Sequence, residues 1–226
     1  MLYDAVLFDA DDTLFDFGLA ERLAIGETLE AYGLRDSGAA EAYHEINERC
    51  WKRFERGEMT QESLKVERFR ELFERFGLAA DADEASEAYI EALSKKPHML
   101  LGALGQVEAI AREKRVAIVT NGIARVQRGR FMRSPLAKII EALVISEEVG
   151  MPKPHPSIFE EALRRLGAAA GRTLMIGDSL TSDMAGAAAL GIGTCWYNPE
   201  GAEAPKGVRI DYVAKEIGDY SRYALL

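Results

Sequence analysis

Four short apolar runs recur in the second half of the chain, alternating with segments whose apolar residues have helical spacing. The runs are RVAIVT at 115–120, ALVIS at 142–146, TLMIG at 173–177 and GTCWY at 193–197. We expect the helices at about 103–113, 124–132, 156–166 and 181–190. Short buried strands that alternate with helices form parallel sheets covered on both faces. The pattern therefore predicts an α/β fold built on a Rossmann-like parallel sheet.

A fifth apolar run, at about 4–8, is separated from the others by a long helical stretch. From Phe17 to about Lys96, apolar residues recur at the spacing of one helix face. Three glycines divide this stretch into four predicted helices: Gly33, Gly57 and Gly77. The sequence DADE, with Asp81 as the N-cap residue, predicts the start of the last of these helices.

The first strand belongs with the later strands, so the helical stretch is an insertion. We predict an α/β core domain formed by residues 1–16 and 98–226, and a helical bundle cap domain at 17–97. Short linkers near 14–18 and 97–102 would join the two.

Composition excludes several classes of function. The 226 residues carry a formal net charge of −9, which disfavours binding to nucleic acids or anionic membranes. We find no apolar stretch of the roughly 20 residues that a membrane span needs, and no signal peptide. Cys50 and Cys195 lie too far apart to suggest a metal site and suit free thiols in a reducing compartment. We expect a soluble, cytoplasmic protein that is a monomer or a homodimer.

Polar residues stand where the predicted strands end. They are Asp9, Asp11 and Thr13 after the first strand, Thr120 and Asn121 after RVAIV, and Asp178 and Asp183 after TLMIG. Ligands of open parallel sheets bind beyond the carboxyl ends of the strands, so we expect these residues to converge, joined by Lys153. Asp9, Asp11 and Asp178 offer hard oxygen ligands of the kind that suits Mg²⁺.

Each of these segments has an ordinary alternative when taken alone. The acidic run DADDTLFD could be a solvated turn, Lys153 a surface charge, and GDSLTSD merely the start of a helix. A calcium loop of the EF-hand type is excluded, because Leu14 and Ala20 stand where that loop needs Gly and Glu. The combination at successive strand ends is what argues for one site.

The combination resembles the haloacid dehalogenase superfamily over nearly the whole chain. Its four motifs match Asp9-x-Asp11-x-Thr13, then Thr120, then Lys153, and finally Asp178 with Asp183. The helical insertion lies where the first type of cap domain (C1) of this superfamily lies. More narrowly, LFDADDTLFDF, IVTNG, LVISEEVG with PKP, GDS and TCWYN resemble the noncanonical pyrimidine 5′-nucleotidase family.

The resemblance implies a role for each motif residue. Asp9 would be the nucleophile that forms an aspartyl phosphate, and Asp11 the general acid and base. Mg²⁺ would be held by Asp9, Asp178 and the backbone carbonyl of Asp11. The phosphate would be bound by Lys153, Thr120 and Asn121. Asp183 would hold a metal-bound water or orient Lys153.

The resemblance thus implies a Mg²⁺-dependent phosphatase acting on a small phosphorylated metabolite, most simply a pyrimidine nucleoside 5′-monophosphate. A sugar-phosphate phosphatase and a phosphomutase stay open as alternatives. A haloacid dehalogenase is disfavoured because such enzymes attack carbon and lack an Asp at the position of Asp11. A catalytically silent binding module is disfavoured because every catalytic position is filled. Trp51 and Arg68 are candidates for contacting the base or sugar, although a place in the bundle core or on a solvated helix face explains them as well.

Overall fold

A six-stranded parallel sheet lies at the centre of the computed structural model, which describes residues 2–35, 37–205 and 207–226. The strands are β1 (Ala5–Phe8), β2 (Arg115–Thr120), β3 (Ala142–Ile145), β4 (Thr173–Gly177), β5 (Gly193–Tyr197) and β6 (Tyr212–Ala214). The first five confirm the predicted strands. We did not predict β6, because three residues are too short a run to give a periodic signal.

The strand order β3-β2-β1-β4-β5-β6 places β1 in the middle of the sheet. Phe8, the last residue of β1, is level with Ile118 of β2 and Ile176 of β4. Because the three strands are parallel and in register, the loops that follow them leave the sheet at the same edge.

Helices cover both faces of the sheet. They are α5 (Ala103–Ala111), α6 (Ala124–Arg133), α7 (Ser146–Val149), α8 (Pro156–Leu166), α9 (Ala185–Ala189) and α10 (Asp219–Ala224). The helix predicted at 181–190 begins with a π-helical turn, Leu180–Met184, before it continues as α9. The short helices α7 and α10 were not predicted.

Four helices lie between β1 and α5, as the sequence predicts. They are α1 (Phe17–Glu30), α2 (Ala39–Glu55), α3 (Gln61–Arg75) and α4 (Ala82–Ser94). The side chain of Asp81 accepts hydrogen bonds from the backbone N–H groups of Asp83 and Glu84, which confirms the predicted start of α4. Within the described ranges, every helix is too short or too polar to cross a membrane.

The apolar faces of α1–α4 form one hydrophobic cluster, and this cluster extends to α6 of the sheet layer. Phe69 and Tyr89 are fully buried in it, and Ile123 and Val126 next to β2 pack against the same cluster. The four helices therefore rest directly on the edge of the sheet where the loops emerge. The division of the chain into domains at residues 16/17 and 97/98 stays a prediction.

Candidate active site

The loop after β1 turns back sharply and keeps its carboxylates at the edge of the sheet. The backbone N–H groups of Leu14 and Phe15 both donate to the carbonyl oxygen of Ala10. Asp12 has a φ of 56°, a left-handed conformation that Asp tolerates better than most residues. The chain therefore reverses between Asp9 and the start of α1.

A cavity of about 220 Å³ lies beyond the carboxyl ends of β1, β2 and β4. The motif residues that line it are Asp9, Asp11, Thr120, Asn121, Lys153, Asp178 and Asp183. Phe17, Trp51 and Glu55 line its other side, from the helices above. The structure thus brings these seven residues together around one space, and their chemical roles stay predictions. Thr13, the other predicted strand-end residue, is buried beside the cavity and donates to the carboxylate of Asp178 at 3.2 Å.

Lys153 is the central cation of this cavity. The residue is 3% exposed, and its ammonium group forms ion pairs with Asp9 and, at 2.7 Å, with Asp183. It also donates to the carbonyl oxygen of Val119 at 2.8 Å. Burial alone would lower the pKa of Lys153, but the charges of the two carboxylates together raise it above its ordinary value. Lys153 is therefore held as a cation, ready to face an anionic group.

Asp9 itself is buried, and burial raises the pKa of its carboxyl group well above the ordinary value, while the charge of Lys153 opposes that rise. Asp178 behaves in the same way. Burial, with the negative charges of Asp183 and Asp12, raises the pKa of Asp178 to about 7. A set of carboxylates with raised pKa values is one that a bound cation would stabilise.

The donor chemistry fits Mg²⁺. Asp9, Asp178 and Asp183 each offer a carboxylate oxygen, and these oxygens all lie within 4.8 Å of one another. Hard oxygen donors in a small cluster are what Mg²⁺ prefers. The cluster includes the carboxylate of Asp183, which we expected only to hold a bound water or to orient Lys153. The proposed ligation by the backbone carbonyl of Asp11 stays a prediction.

Asp183 reaches this cluster because the π-helical turn after β4 passes close to Gly177. A Cβ atom at Gly177 would lie 2.3 Å from Oδ2 of Asp183, so a residue with a side chain would collide with that carboxylate. The same oxygen accepts a hydrogen bond from the backbone N–H of Ser179 at 3.1 Å. The backbone of the turn therefore fixes the position of the carboxylate.

Thr120 and Asn121 at the end of β2 play different parts. The hydroxyl of Thr120 accepts from the N–H of Gly122 at 3.1 Å, which leaves its own proton available to a phosphate. The side-chain amide of Asn121 bonds to both the N–H and the carbonyl of Lys153, at 2.7 and 3.0 Å. The side chain of Asn121 thus fixes the loop that carries Lys153, and phosphate binding by Asn121, which lines the cavity, stays a prediction.

The carboxylate of Asp11 is held by two residues of α6 that the sequence analysis did not identify. Gln127 donates to it at 2.6 Å, and the fully buried Arg130 forms an ion pair with it. Arg130 also donates to the carbonyl of Lys96, between the end of α4 and the second linker. Residues three positions apart share a helix face, so polar residues on the inner face of the predicted helix 124–132 were the available signal.

Trp51 and Arg68 occupy different positions relative to the cavity. Trp51 is half-buried, packs edge-to-face against Phe54 and lines the main cavity, so its position fits both core packing and substrate contact, and the contact stays a prediction. Arg68 is 1% exposed and lines a small adjoining cavity together with Trp51, Asp11 and Gly122. A solvated helix face, one of the two expectations for Arg68, is therefore wrong.

Two contacts hold α3 over the cavity. Gln61 donates to the backbone carbonyl of Asn121 at 3.1 Å, and Lys65 forms an ion pair with Glu147 at 2.5 Å. Both contacts join α3 to the segments that follow β2 and β3.

Comparison with known proteins identifies the family. The chain belongs to the haloacid dehalogenase-like hydrolases, whose family description matches residues 3–191. The chain is therefore an enzyme, a hydrolase, as the sequence motifs predict.

Individual relatives cover almost all of the chain. It is 35% identical over 214 residues to the pyrimidine 5′-nucleotidase YjjG of Escherichia coli, covering 92% of each chain. It is 35% identical over 206 residues to the pyrimidine 5′-nucleotidase PynA of Streptococcus pneumoniae, covering 90% of this chain and 87% of that one. The crystal structure of the putative HAD-hydrolase YfnB from Bacillus subtilis bound to magnesium superposes with a TM-score of 0.91 at 30% identity, over 100% of both chains. These matches confirm the predicted family and fold.

Proposed function

We propose that this protein is a Mg²⁺-dependent phosphatase that hydrolyses small phosphomonoesters through an aspartyl phosphate on Asp9. The observation that carries the proposal is the single cavity in which Asp9 lies beside a buried, charged Lys153, two further carboxylates suited to a metal, and Asp11. A carboxylate so placed is a nucleophile for phosphorus.

In the first step, an oxygen of Asp9 attacks phosphorus and the bond to the ester oxygen breaks. Asp11 gives its proton to the departing alkoxide. In the second step, water attacks the phosphorus of the aspartyl phosphate, Asp11 takes the proton of that water, and Asp9 is regenerated as phosphate leaves. Splitting the hydrolysis in this way replaces one difficult step with two easier ones.

Lys153 and the hydroxyl of Thr120 stabilise the phosphoryl oxygens as charge moves during both steps. Asp9, Asp178 and Asp183 would hold Mg²⁺, which when bound would neutralise charge on the phosphate and on the attacking carboxylate. The related YfnB was crystallised with magnesium bound, and this supports the choice of ion.

The substrate we propose is a pyrimidine nucleoside 5′-monophosphate. Two relatives at 35% identity are pyrimidine 5′-nucleotidases, and both extend over about nine-tenths of this chain. Trp51 on the cavity wall offers a surface on which a base could stack, and Arg68 in the adjoining cavity offers a donor to a base carbonyl. We place the activity in the cytoplasm.

The test is a hydrolysis screen over nucleoside monophosphates, sugar phosphates and p-nitrophenyl phosphate, with and without Mg²⁺. We expect hydrolysis to need Mg²⁺ and kcat/KM to be highest for the uridine and thymidine monophosphates. If kcat/KM were higher for sugar phosphates than for every nucleotide, the proposed substrate would be rejected and the proposed phosphatase activity would be retained. The absence of hydrolysis in every arm would reject the phosphatase itself.

A further inference from the structure

Glu55, the last residue of α2, is a carboxylate on the wall of the catalytic cavity that none of the motifs accounts for. It lines the same space as Asp9, Thr120 and Lys153. Among the described residues it has no hydrogen-bond or ion-pair partner. Glu55 is an exposed residue, but partial desolvation and the negative charge of Asp183 raise the pKa of its carboxyl group, while the charge of Lys153 opposes that rise. The carboxylate therefore interacts with the charges of the strand-end site.

Of the three cations within three residues of Glu55 in sequence, two pair with other carboxylates, and the third, Arg53, does not line the cavity. Lys52 pairs with Glu48 at 3.3 Å, and Arg56 pairs with Glu58 at 2.5 Å. Among the described residues that line the cavity, Lys153 alone carries a positive charge, and it is shared between Asp9 and Asp183. The strand-end side of the cavity, with Lys153, can therefore neutralise one phosphate group. The cap side, with Glu55, adds a negative charge.

A substrate in this cavity would have its phosphoryl group at Lys153 and the rest of the molecule towards α2. A second anionic group beside α2 in this cavity would meet Glu55, whereas Arg68 lies in the adjoining cavity, where it donates to Asn47. Like charges brought together in a partly buried space cost free energy and so discriminate against the wrong ligand.

We propose that Glu55 is a specificity residue that excludes substrates with a second phosphate and so restricts the enzyme to monophosphates. The inference rests on the proposed phosphatase function and extends it by defining the charge of the part of the substrate beneath the cap. That part is neutral, as a base and a sugar are.

The test measures kcat/KM for matched pairs that differ by one phosphate. The pairs are deoxyuridine 5′-monophosphate with deoxyuridine 3′,5′-bisphosphate, and ribose 5-phosphate with ribose 1,5-bisphosphate. Glu55→Gln removes the charge and keeps the shape. We expect it to lower the preference for the monophosphate by about tenfold in at least one pair, the size of effect that removing a like charge near a protein surface predicts.

Glu58→Gln is the matched control, because it removes the same charge three residues away, from a side chain that pairs with Arg56 outside the cavity. We expect it to leave both preferences unchanged. Raising the salt concentration should also weaken the preference in the wild type and have less effect in Glu55→Gln, since salt screens repulsion between charges.

Three results would overturn the inference. The preference could be unchanged by Glu55→Gln in both pairs, or changed equally by Glu58→Gln. Alternatively, Glu55→Gln could reduce hydrolysis of ribonucleotides more than that of deoxyribonucleotides with no gain on bisphosphates, which would make Glu55 an acceptor for a ribose hydroxyl. A wild type that hydrolyses ribose 5-phosphate but no nucleotide would reject the proposed substrate, and the ribose pair would still decide the role of Glu55.

Discussion

Two buried cations, one at the strand ends and one in the helical cap, are compensated in different ways. Lys153 pairs directly with the carboxylates of Asp9 and Asp183. Arg68 donates instead to the amide oxygen of Asn47 at 2.9 Å and to the carbonyl of Lys65 at 3.2 Å, and its guanidinium lies 4.8 Å from the ring centroid of Tyr89.

The carboxylate nearest to this arrangement in the cap is Glu21, which is buried and accepts from the amide nitrogen of Asn47 at 2.6 Å. Among the described residues, the hydrogen bonds of Arg68 lead to a carboxylate through Asn47. A buried charge needs compensation in either form, since an isolated one is strongly unfavourable. The difference teaches that charges are paired directly at the sheet edge, whereas in the cap a neutral amide lies between the buried charges.

The strongest test of the strand-end site, which contains Lys153, is Asp9→Asn. An amide cannot act as the nucleophile, so we expect turnover of p-nitrophenyl phosphate to fall by at least about a thousandfold while the protein stays folded. Turnover is measured by p-nitrophenol release and folding by circular dichroism. Asp4→Asn, at an exposed residue just before β1, is the matched control. Near wild-type turnover in Asp9→Asn would rule out the aspartyl phosphate.

Removal of the metal tests the strand-end site without a mutation. We expect a chelator such as EDTA to abolish hydrolysis and excess Mg²⁺ to restore it, because the carboxylates of Asp9, Asp178 and Asp183 lie close enough together to share one ion. Mg²⁺ should also raise the melting temperature, since an ion that binds only the folded state stabilises it. A melting temperature that does not respond to Mg²⁺, with hydrolysis unaffected by EDTA, would show that the cluster does not bind the ion.

The residues that meet at the strand ends could be predicted from the sequence, and much of the cap could not. Asp9, Thr120 and Asp178 lie at the ends of strands that the apolar runs reveal, and parallel strands deliver their carboxyl ends to one edge. Glu55 stands in the charged run KRFERGE, which has the composition of any solvated helix end. Which of its charges faces the cavity depends on how α2 packs over the sheet, and that is a tertiary contact that helical periodicity does not encode.

Asp11→Asn should have the next largest effect, and the effect should depend on the leaving group. General acid catalysis contributes about 10²–10⁴-fold to rates, and it matters most when the leaving group is a poor one. We therefore expect a larger loss of kcat on alkyl phosphates than on p-nitrophenyl phosphate. Equal losses on both substrates would contradict the general acid role and leave Asp11 as an electrostatic or structural group bound by Gln127 and Arg130.

Trp51→Ala tests whether the neutral cap side contributes to nucleotide recognition. Base stacking on an aromatic side chain is worth about 1–3 kcal/mol, so kcat/KM for uridine monophosphate should fall roughly 5- to 150-fold. Turnover of p-nitrophenyl phosphate, whose phosphate is bound at the strand ends, should fall less. Phe54→Ala, which removes the ring packed against Trp51, is the control for loosening of the bundle. If the two variants lose nucleotide and p-nitrophenyl phosphate turnover in equal proportion, Trp51 is a packing residue.

The smallest effect we predict separates Asn47 from Arg68 by stability. Asn47→Ala leaves Arg68 and Glu21 buried without the amide that joins them, whereas Arg68→Met removes the buried cation and keeps apolar contact with the surrounding rings. Breaking a buried charge network from one side is more destabilising than replacing a charge with an apolar group. Denaturant unfolding should therefore give a lower free energy of unfolding for Asn47→Ala, by about 1–3 kcal/mol relative to Arg68→Met. The reverse order would mean that the aromatic rings, and not Asn47, compensate the charge of Arg68. The two buried cations would then differ in that rings compensate Arg68 and carboxylates compensate Lys153.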